Sequence, residues 1–291
     1  MPKVEGSNHH TTTRATLSTR FKHLKVTFAR QPLGIISLMP WISFDLDGTT
    51  CNWPFNEAVF RPMRAHLATS VQESMRQEYF KRLRSSDPVN AFDWDGIHHL
   101  TALEFNLPAF QPILEFAASV EFKPELVYSD TQPALEKLRA GGWKIACGTN
   151  GYAKYQGYAL ERLGLKAEAF IAPDTVNACK PQREFLTRLP QLTGDETALE
   201  GLVHVGDLLT QDVLAANRAG ARAAWIWRDM PPEMRAIPVL ERTQHQRIQT
   251  AILEQTKHEF EHNGKLGSSY SDLPPRPDFV VADLLELVAV L

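Results

Sequence analysis

Apolar and polar positions along the chain fall into two regimes. From Ser129 onward, short apolar runs alternate with amphipathic segments. Helices are expected over Pro133 to Ala140, Tyr152 to Leu163, Arg183 to Leu189 and Gln211 to Ala219, and strands over Trp143 to Cys147, Ala167 to Ile171, Leu202 to Val205 and Ala223 to Trp227. Gly141-Gly142, Gly164 and Gly220 close helical stretches, where a C-terminal cap favours glycine. One more apolar run, Trp41-Ile42-Ser43-Phe44, comes earlier, and a last one, Asp278 to Val281, comes near the end. The alternation predicts an α/β fold built on a doubly wound parallel sheet.

Residues 52–127 read differently, with no obvious strand. Val59, Met63, Leu67, Val71, Met75, Tyr79 and Leu83 recur every four positions, with Arg64, Gln72, Glu73, Arg76 and Lys81 between them, which is helical periodicity. Pro108-Ala109-Phe110-Gln111-Pro112 opens another helix running to Val120. The chain therefore divides into an α/β core, residues 39–51 and 128–291, and a smaller α-helical domain inserted at 52–127.

Two segments depart from a compact α/β pattern. Residues 229–277 separate the last two strands; Ile248, Ile252 and Phe260 lie on a helical stripe there, and Gly264-Lys265-Leu266-Gly267-Ser268-Ser269 reads as a linker. A surface excursion is the first expectation for this insertion, with a second lid or a dimer contact as alternatives. Residues 1–38 carry six basic side chains and one acidic, with many threonines. This tail is expected to be disordered or to lie outside the true start, with Met39 as an alternative first residue. An ordered arm ranks second, and targeting, which the composition of a transit peptide suggests, ranks third.

Composition narrows the function classes. A net charge of −3 over 291 residues gives no electrostatic case for a nucleic acid polymer or an anionic membrane, and 43% hydrophobic content can fill two cores. No apolar run approaches the ~20 residues of a membrane span. Cys51, Cys147 and Cys179, odd in number and without paired spacing, suit a reducing, cytoplasmic setting and offer no zinc cage.

The chemistry lies at the ends of the apolar runs. Phe44-Asp45-Leu46-Asp47-Gly48-Thr49 places two carboxylates where a buried strand runs into a turn, so that both can reach one site; one can act as nucleophile and the other as acid and base. Gly148-Thr149-Asn150-Gly151 offers a hydroxyl and the backbone N–H groups of Asn150 and Gly151 for phosphate oxygens. Lys180-Pro181 supplies a cation, with a proline suited to the first turn of a helix. Val205-Gly206-Asp207 and the later Asp212 add carboxylates. Thr149, Lys180 and Asp207 are each about one βα repeat of ~30 residues apart, so successive strand ends deliver them to one sheet edge. Asp45, Asp47 and Asp207 crowded there call for a hard divalent cation with oxygen ligands, and Mg2+ fits best.

Asp-x-Asp-Gly-Thr, a Thr-Asn loop, Lys-Pro and Gly-Asp-x-x-x-x-Asp, in that order, resemble the haloacid dehalogenase-like hydrolases, specifically their phosphatase branch. The likeness spans roughly residues 41–228 with the final strand and helix, and the combination is far more specific than any one part. It implies a Rossmann-like core and a magnesium-dependent phosphatase acting on a small phosphate monoester: a nucleoside monophosphate, phosphoglycolate or a sugar phosphate. Asp45 would be the nucleophile that forms an aspartyl phosphate, and Asp47 the general acid, then base. Thr149, Asn150 and Lys180 would bind the phosphoryl group. The metal would be held by Asp45, the Asp47 carbonyl and Asp207, with Asp212 behind them. The dehalogenase branch lacks the second motif aspartate, so Asp47 argues against dehalogenation. The family's cap occupies the place of the 52–127 insert; a lid there excludes water and favours small substrates. Trp53, Asp93, Trp94 and His98 are candidates for substrate selection on that lid.

Other residues are set aside more readily. Cys51 reads as buried filler, Lys154 as a surface helix lysine close to the phosphate loop, and His98-His99 with Asp93 and Asp95 as lid residues rather than a metal site. A phosphomutase on a sugar phosphate is the nearest alternative. A catalytically silent binding or regulatory protein is a third, disfavoured because Asp45, Asp47 and Lys180 are all present. A monomer or homodimer is expected.

Overall fold

The computed structural model describes residues 39–262 and 274–291. Residues 1–38 and the expected linker Gly264–Ser269 lie outside the described residues.

Six strands form one parallel sheet: β1 (Trp41–Phe44), β2 (Lys144–Gly148), β3 (Ala169–Ile171), β4 (Val203–Gly206), β5 (Arg222–Ile226) and β6 (Phe279–Val281). Their order is β3-β2-β1-β4-β5-β6, and every pairing is parallel. Such strands are buried on both faces, which is why they read as continuous apolar runs. The pleat divides their side chains between two cores. Trp41, Ala146 and Trp225 face one side with Phe185, Leu186 and Ala216. Ile42, Phe44 and Ile145 face the other with Leu135, Leu160 and Leu287. Helices thus cover both faces, as double winding requires.

The strand order reverses between β1 and β4, which pair in register from Ile42↔Val203 to Phe44↔Val205. The crevice beyond their carboxyl ends is the place where open α/β sheets take ligands.

Residues 52–127 hold three helices of more than one turn, Thr69–Leu83, Trp94–Glu104 and Ile113–Ala118, together with single turns such as Arg61–Arg64. The chain leaves and re-enters the core side by side, the Asn52 amide donating to the Leu126 carbonyl and the Tyr128 amide to the Thr50 carbonyl. The four-residue stripe from Val59 to Leu83 is not one helix. It breaks at Ala68, whose ψ is 149°, and the Gln72 side chain donates to the carbonyls of Arg64 and Leu67. Val59 and Met63 consequently pack with Tyr155 of the core helix Ala153–Arg162 and with Tyr152 just before it, whereas Val71 and Met75 pack with Ile97 inside the insert.

Within the expected surface excursion at 229–277, the described residues are mostly exposed or half-buried, yet a few buried points anchor them. Helix Gln246–His262 buries Ile248 against the sheet, and its Glu259 is almost fully buried beneath residues 209–210. Arg242, also buried, pairs with Glu286 at 2.6 Å and donates to the Val280 carbonyl of β6. These polar anchors, too isolated in sequence to form a pattern, fasten the insertion into the fold.

Candidate active site

The first acidic turn begins where β1 ends. The Asp45 amide still donates to the Val205 carbonyl at 2.8 Å, continuing the ladder, after which the amides of Thr49, Thr50 and Cys51 all turn back onto the Leu46 carbonyl. Gly48 allows this turn for two reasons: its φ is +79°, and a Cβ there would lie 2.3 Å from a carboxylate oxygen of Asp207. The turn frees Asp45 and Asp47 from the pleat, and both line a single cavity of about 390 Å³.

The Lys180 ammonium is buried and donates to Asp45 Oδ1 at 2.7 Å, Asp212 Oδ1 at 2.6 Å and the Gly148 carbonyl at 3.0 Å. All three of its donor positions are therefore directed at the protein. The expected helical turn at Pro181 is absent. The helix starts two residues on, at Arg183–Thr187, and the Lys180–Pro181 bond is cis.

Asp212 also receives the Leu208 amide at 3.0 Å and His204 Nε2 at 3.2 Å. Burial works against its charge, but Lys180 and His204 overcome that and hold its carboxyl down at about 2. Burial has the opposite outcome for its neighbours. It pushes Asp45 up to about 7 against the pull of Lys180, with Asp212 and Asp47 adding to the rise, and pushes Asp47 up to about 6 against a hydrogen bond from Gln156. Asp207 is raised well above the carboxylate range by burial and by the charges of Asp45 and Asp212. The ammonium of Lys180 moves upward, its own burial cost being outweighed by Asp212 and Asp45.

These carboxylates are a fit for a hard cation. Oxygens of Asp45, Asp207 and Asp212 lie within 4.8 Å of one another. Asp207 Oδ1 and Asp47 Oδ1 are buried without a hydrogen-bond partner. Four acidic groups share one ammonium, and the donor set is all oxygen, which suits magnesium rather than zinc.

Thr149 lines the cavity, and its hydroxyl oxygen accepts the Gly151 amide at 3.2 Å. The Gly151 N–H is thus taken up inside the loop, contrary to its expected role toward a ligand, while the Thr149 hydroxyl keeps a proton to donate. Asn150 also lines the cavity, yet its side chain is a staple: Oδ1 accepts the Lys180 amide at 2.7 Å and Nδ2 donates to Gln211 at 2.9 Å.

Of the residues expected to select substrate, Trp53 and Trp94 line the cavity. Asp93 and His98 do not. Asp93 lies 3.8 Å from the Lys154 ammonium, and His98 is buried behind Arg64, with Nε2 3.2 Å from its guanidinium. Lys154 is an exposed helix lysine, as expected, and it also ties core to insert, 3.0 Å from Asp95, which accepts the Tyr155 hydroxyl at 2.7 Å.

Gln156, Gln211 and Arg64 are among the cavity residues that escaped the motifs. Gln156 donates to Asp47 Oδ2 at 3.0 Å, Gln211 supports Asn150, and Arg64 faces in from the insert. Gln156 alone left a signal, a polar residue on the apolar face of its helix beside Tyr155 and Ala159.

A sequence model of haloacid dehalogenase-like hydrolases matches residues 39–220. The glyceraldehyde 3-phosphate phosphatase of Methanopyrus kandleri is 32% identical over 210 residues, covering 66% of this chain and 87% of that protein. Among solved structures, a HAD phosphatase from Thermococcus onnurineus superposes with a TM-score of 0.52 at 24% identity, over 86% of this chain and 97% of its own. The L-2-haloacid dehalogenase of Xanthobacter autotrophicus gives 0.51 at 18% identity with the same coverage. Both structures share the fold.

Proposed function

This chain belongs to the haloacid dehalogenase-like hydrolases, and from that premise we propose that it is a magnesium-dependent phosphatase that works through a covalent aspartyl phosphate. The observation that carries the reading is the placing of Asp45 and Asp47 in one cavity with Lys180 fixed on Asp45 Oδ1. A dehalogenase needs the first carboxylate alone; the second, buried and easily protonated, suits a group that must give a proton to a leaving oxygen.

Asp45 attacks phosphorus while Asp47 delivers its proton to the leaving alkoxide, so that one P–O bond forms as the other breaks. Asp47, now a carboxylate, takes a proton from water; the resulting hydroxide attacks phosphorus, releasing orthophosphate and restoring Asp45. Lys180 orients Asp45 and favours its ionised form against the effect of burial, and the Thr149 hydroxyl donates to a phosphoryl oxygen. Asp45, Asp207 and the Asp47 carbonyl would hold magnesium, which when bound neutralises the carboxylates and polarises the phosphoryl oxygens. Asp212 supports the site from behind, because its oxygens are already engaged by Lys180, His204 and the Leu208 amide.

Residues 52–127 act as the cap, turning at the paired crossings beside Asn52 and Leu126 and restricting the enzyme to small phosphate monoesters. Three buried free cysteines agree with a reducing cytoplasm, and no described helix is long and apolar enough to cross a membrane. The test is a screen of phosphorylated metabolites, glyceraldehyde 3-phosphate included, with magnesium, with chelator and with Asp45→Asn. Turnover is expected to require the metal and to fall by several orders of magnitude in the variant, because a carboxamide cannot attack phosphorus. Variant activity near that of the native protein would remove Asp45 from this role.

A further inference from the structure

The part of the cavity wall that the insert contributes holds a cation that no described residue neutralises. Arg64 sits on the single turn Arg61–Arg64 and lines the same cavity as Asp45 and Asp47. Its guanidinium stacks 4.6 Å from the Phe60 ring centroid and 4.7 Å from that of Trp94. Nη2 lies 3.2 Å from His98, and Nε is buried with no partner. Arg242, Arg228 and Arg82, whose side chains are little exposed, each have a carboxylate beside them, Glu286, Asp130 and Glu78 respectively. Among the described residues Arg64 has no such partner, and burial draws its pKa down to about 10, so that it remains charged at neutral pH.

Aromatic faces offset part of the burial cost but accept no conventional hydrogen bond from the guanidinium. His98 is neutral, its pKa lowered by burial and by Arg64 to about 4, so it orients the guanidinium without balancing it. The missing counter-charge must come from what enters the cavity. Building on the phosphatase reading, we propose that Arg64 receives a second oxyanion of the substrate, so that the preferred substrates are small phosphate monoesters bearing a carboxylate or a second phosphate away from the scissile bond.

The test compares matched pairs that differ in that group. 3-Phosphoglycerate against glycerol 3-phosphate probes a carboxylate, and fructose 1,6-bisphosphate against fructose 6-phosphate probes a second phosphate. The native enzyme is expected to favour the doubly anionic member of at least one pair in kcat/KM, and Arg64→Gln to reduce that preference by on the order of a hundredfold, with partial recovery in Arg64→Lys. The same pairs are titrated onto Asp45→Asn and Asp45→Asn/Arg64→Gln, followed by tryptophan fluorescence, since Trp53 and Trp94 line the cavity. Arg64-dependent binding without turnover in the native protein would uphold the subsite and overturn the phosphatase. Turnover or binding with no anion preference, or a preference unchanged in Arg64→Gln, would overturn the subsite.

Discussion

The Lys180 ammonium stands 2.7 Å from Asp45 Oδ1 across 135 residues of sequence, and both groups are almost fully buried. With Asp212 on its other side at 2.6 Å, this lysine joins the end of β1 to the turn after β4. Lys180→Met should abolish turnover and destabilise the fold by about 3–5 kcal/mol near neutral pH, because it leaves buried carboxylates without their cation. The effect has a sign in pH. Without Lys180 the folded-state pKa values of Asp45 and Asp212 rise, so the variant regains stability as pH falls below those values and loses it as pH rises through them. Denaturant unfolding at several pH values checks this; a deficit that does not shrink toward acid pH would show that the pair carries no such charge burden.

Much of this arrangement was legible in the chain because Asp45, Thr149 and Asp207 directly follow the ends of β1, β2 and β4, and a parallel sheet has little choice but to bring strand ends to one edge. Lys180 differs from the expectation: it follows not the end of β3 at Ile171 but the later turn Pro173–Val176, and reaches the same edge from that loop. The insert was legible as helical but not in its breaks. The Val59 to Leu83 stripe has the same period whether it forms one helix or two, and the break at Ala68, bridged by the Gln72 side chain, leaves no mark on that period. Long-range polar contacts left no pattern at all. Nothing near Glu259 announces that it reaches Leu209 and Thr210 fifty residues back.

Asp47 and Gln156 lead to a separable prediction. The Gln156 amide donates to Asp47 Oδ2, leaving Oδ1 buried and unpaired toward the cavity. Asp47→Asn keeps that bond's geometry but cannot take a proton from water, so any phosphoenzyme formed on Asp45 should persist. Acid quenching with labelled substrate should then trap more labelled protein than in the native enzyme; equal or lower labelling would argue that Asp47 does not act in the second step.

Glu259 makes the insertion at 229–277 part of the catalytic edge. Its carboxylate accepts the amides of Leu209 and Thr210 at 3.1 and 2.8 Å and the Thr210 hydroxyl at 2.7 Å, at the start of the turn Leu209–Val213 that carries Gln211 and Asp212. Glu259→Ala should cost about 1–3 kcal/mol, since it strands buried donors. It should also raise the magnesium concentration needed for half-maximal activity, because the loop after Asp207 is no longer pinned. Glu259→Gln, which keeps one acceptor oxygen, should recover part of both. Loss of stability with an unchanged magnesium requirement would confine Glu259 to a structural role.

His98 connects the anion-facing wall to pH. It is buried and rests against Arg64, and burial together with that cation lowers its pKa from about 6.5 to about 4. Between those values the unfolded chain binds a proton that the folded one refuses, so stability rises with pH across the window and falls on acidification. Above pH ~6.5 the imidazole is neutral in both states and contributes no slope. The full shift would correspond to about 3 kcal/mol, an upper bound because the cap can loosen locally instead of unfolding whole. His98→Gln keeps a hydrogen-bonding partner for Arg64 but cannot titrate. Its unfolding free energy should therefore decline less steeply between pH 6.5 and 4 than that of the native protein, while the carboxylates common to both contribute equally. Parallel slopes in the two proteins would mean that His98 is not held neutral against Arg64, and the charge at the cavity wall would then have to be balanced from within the chain.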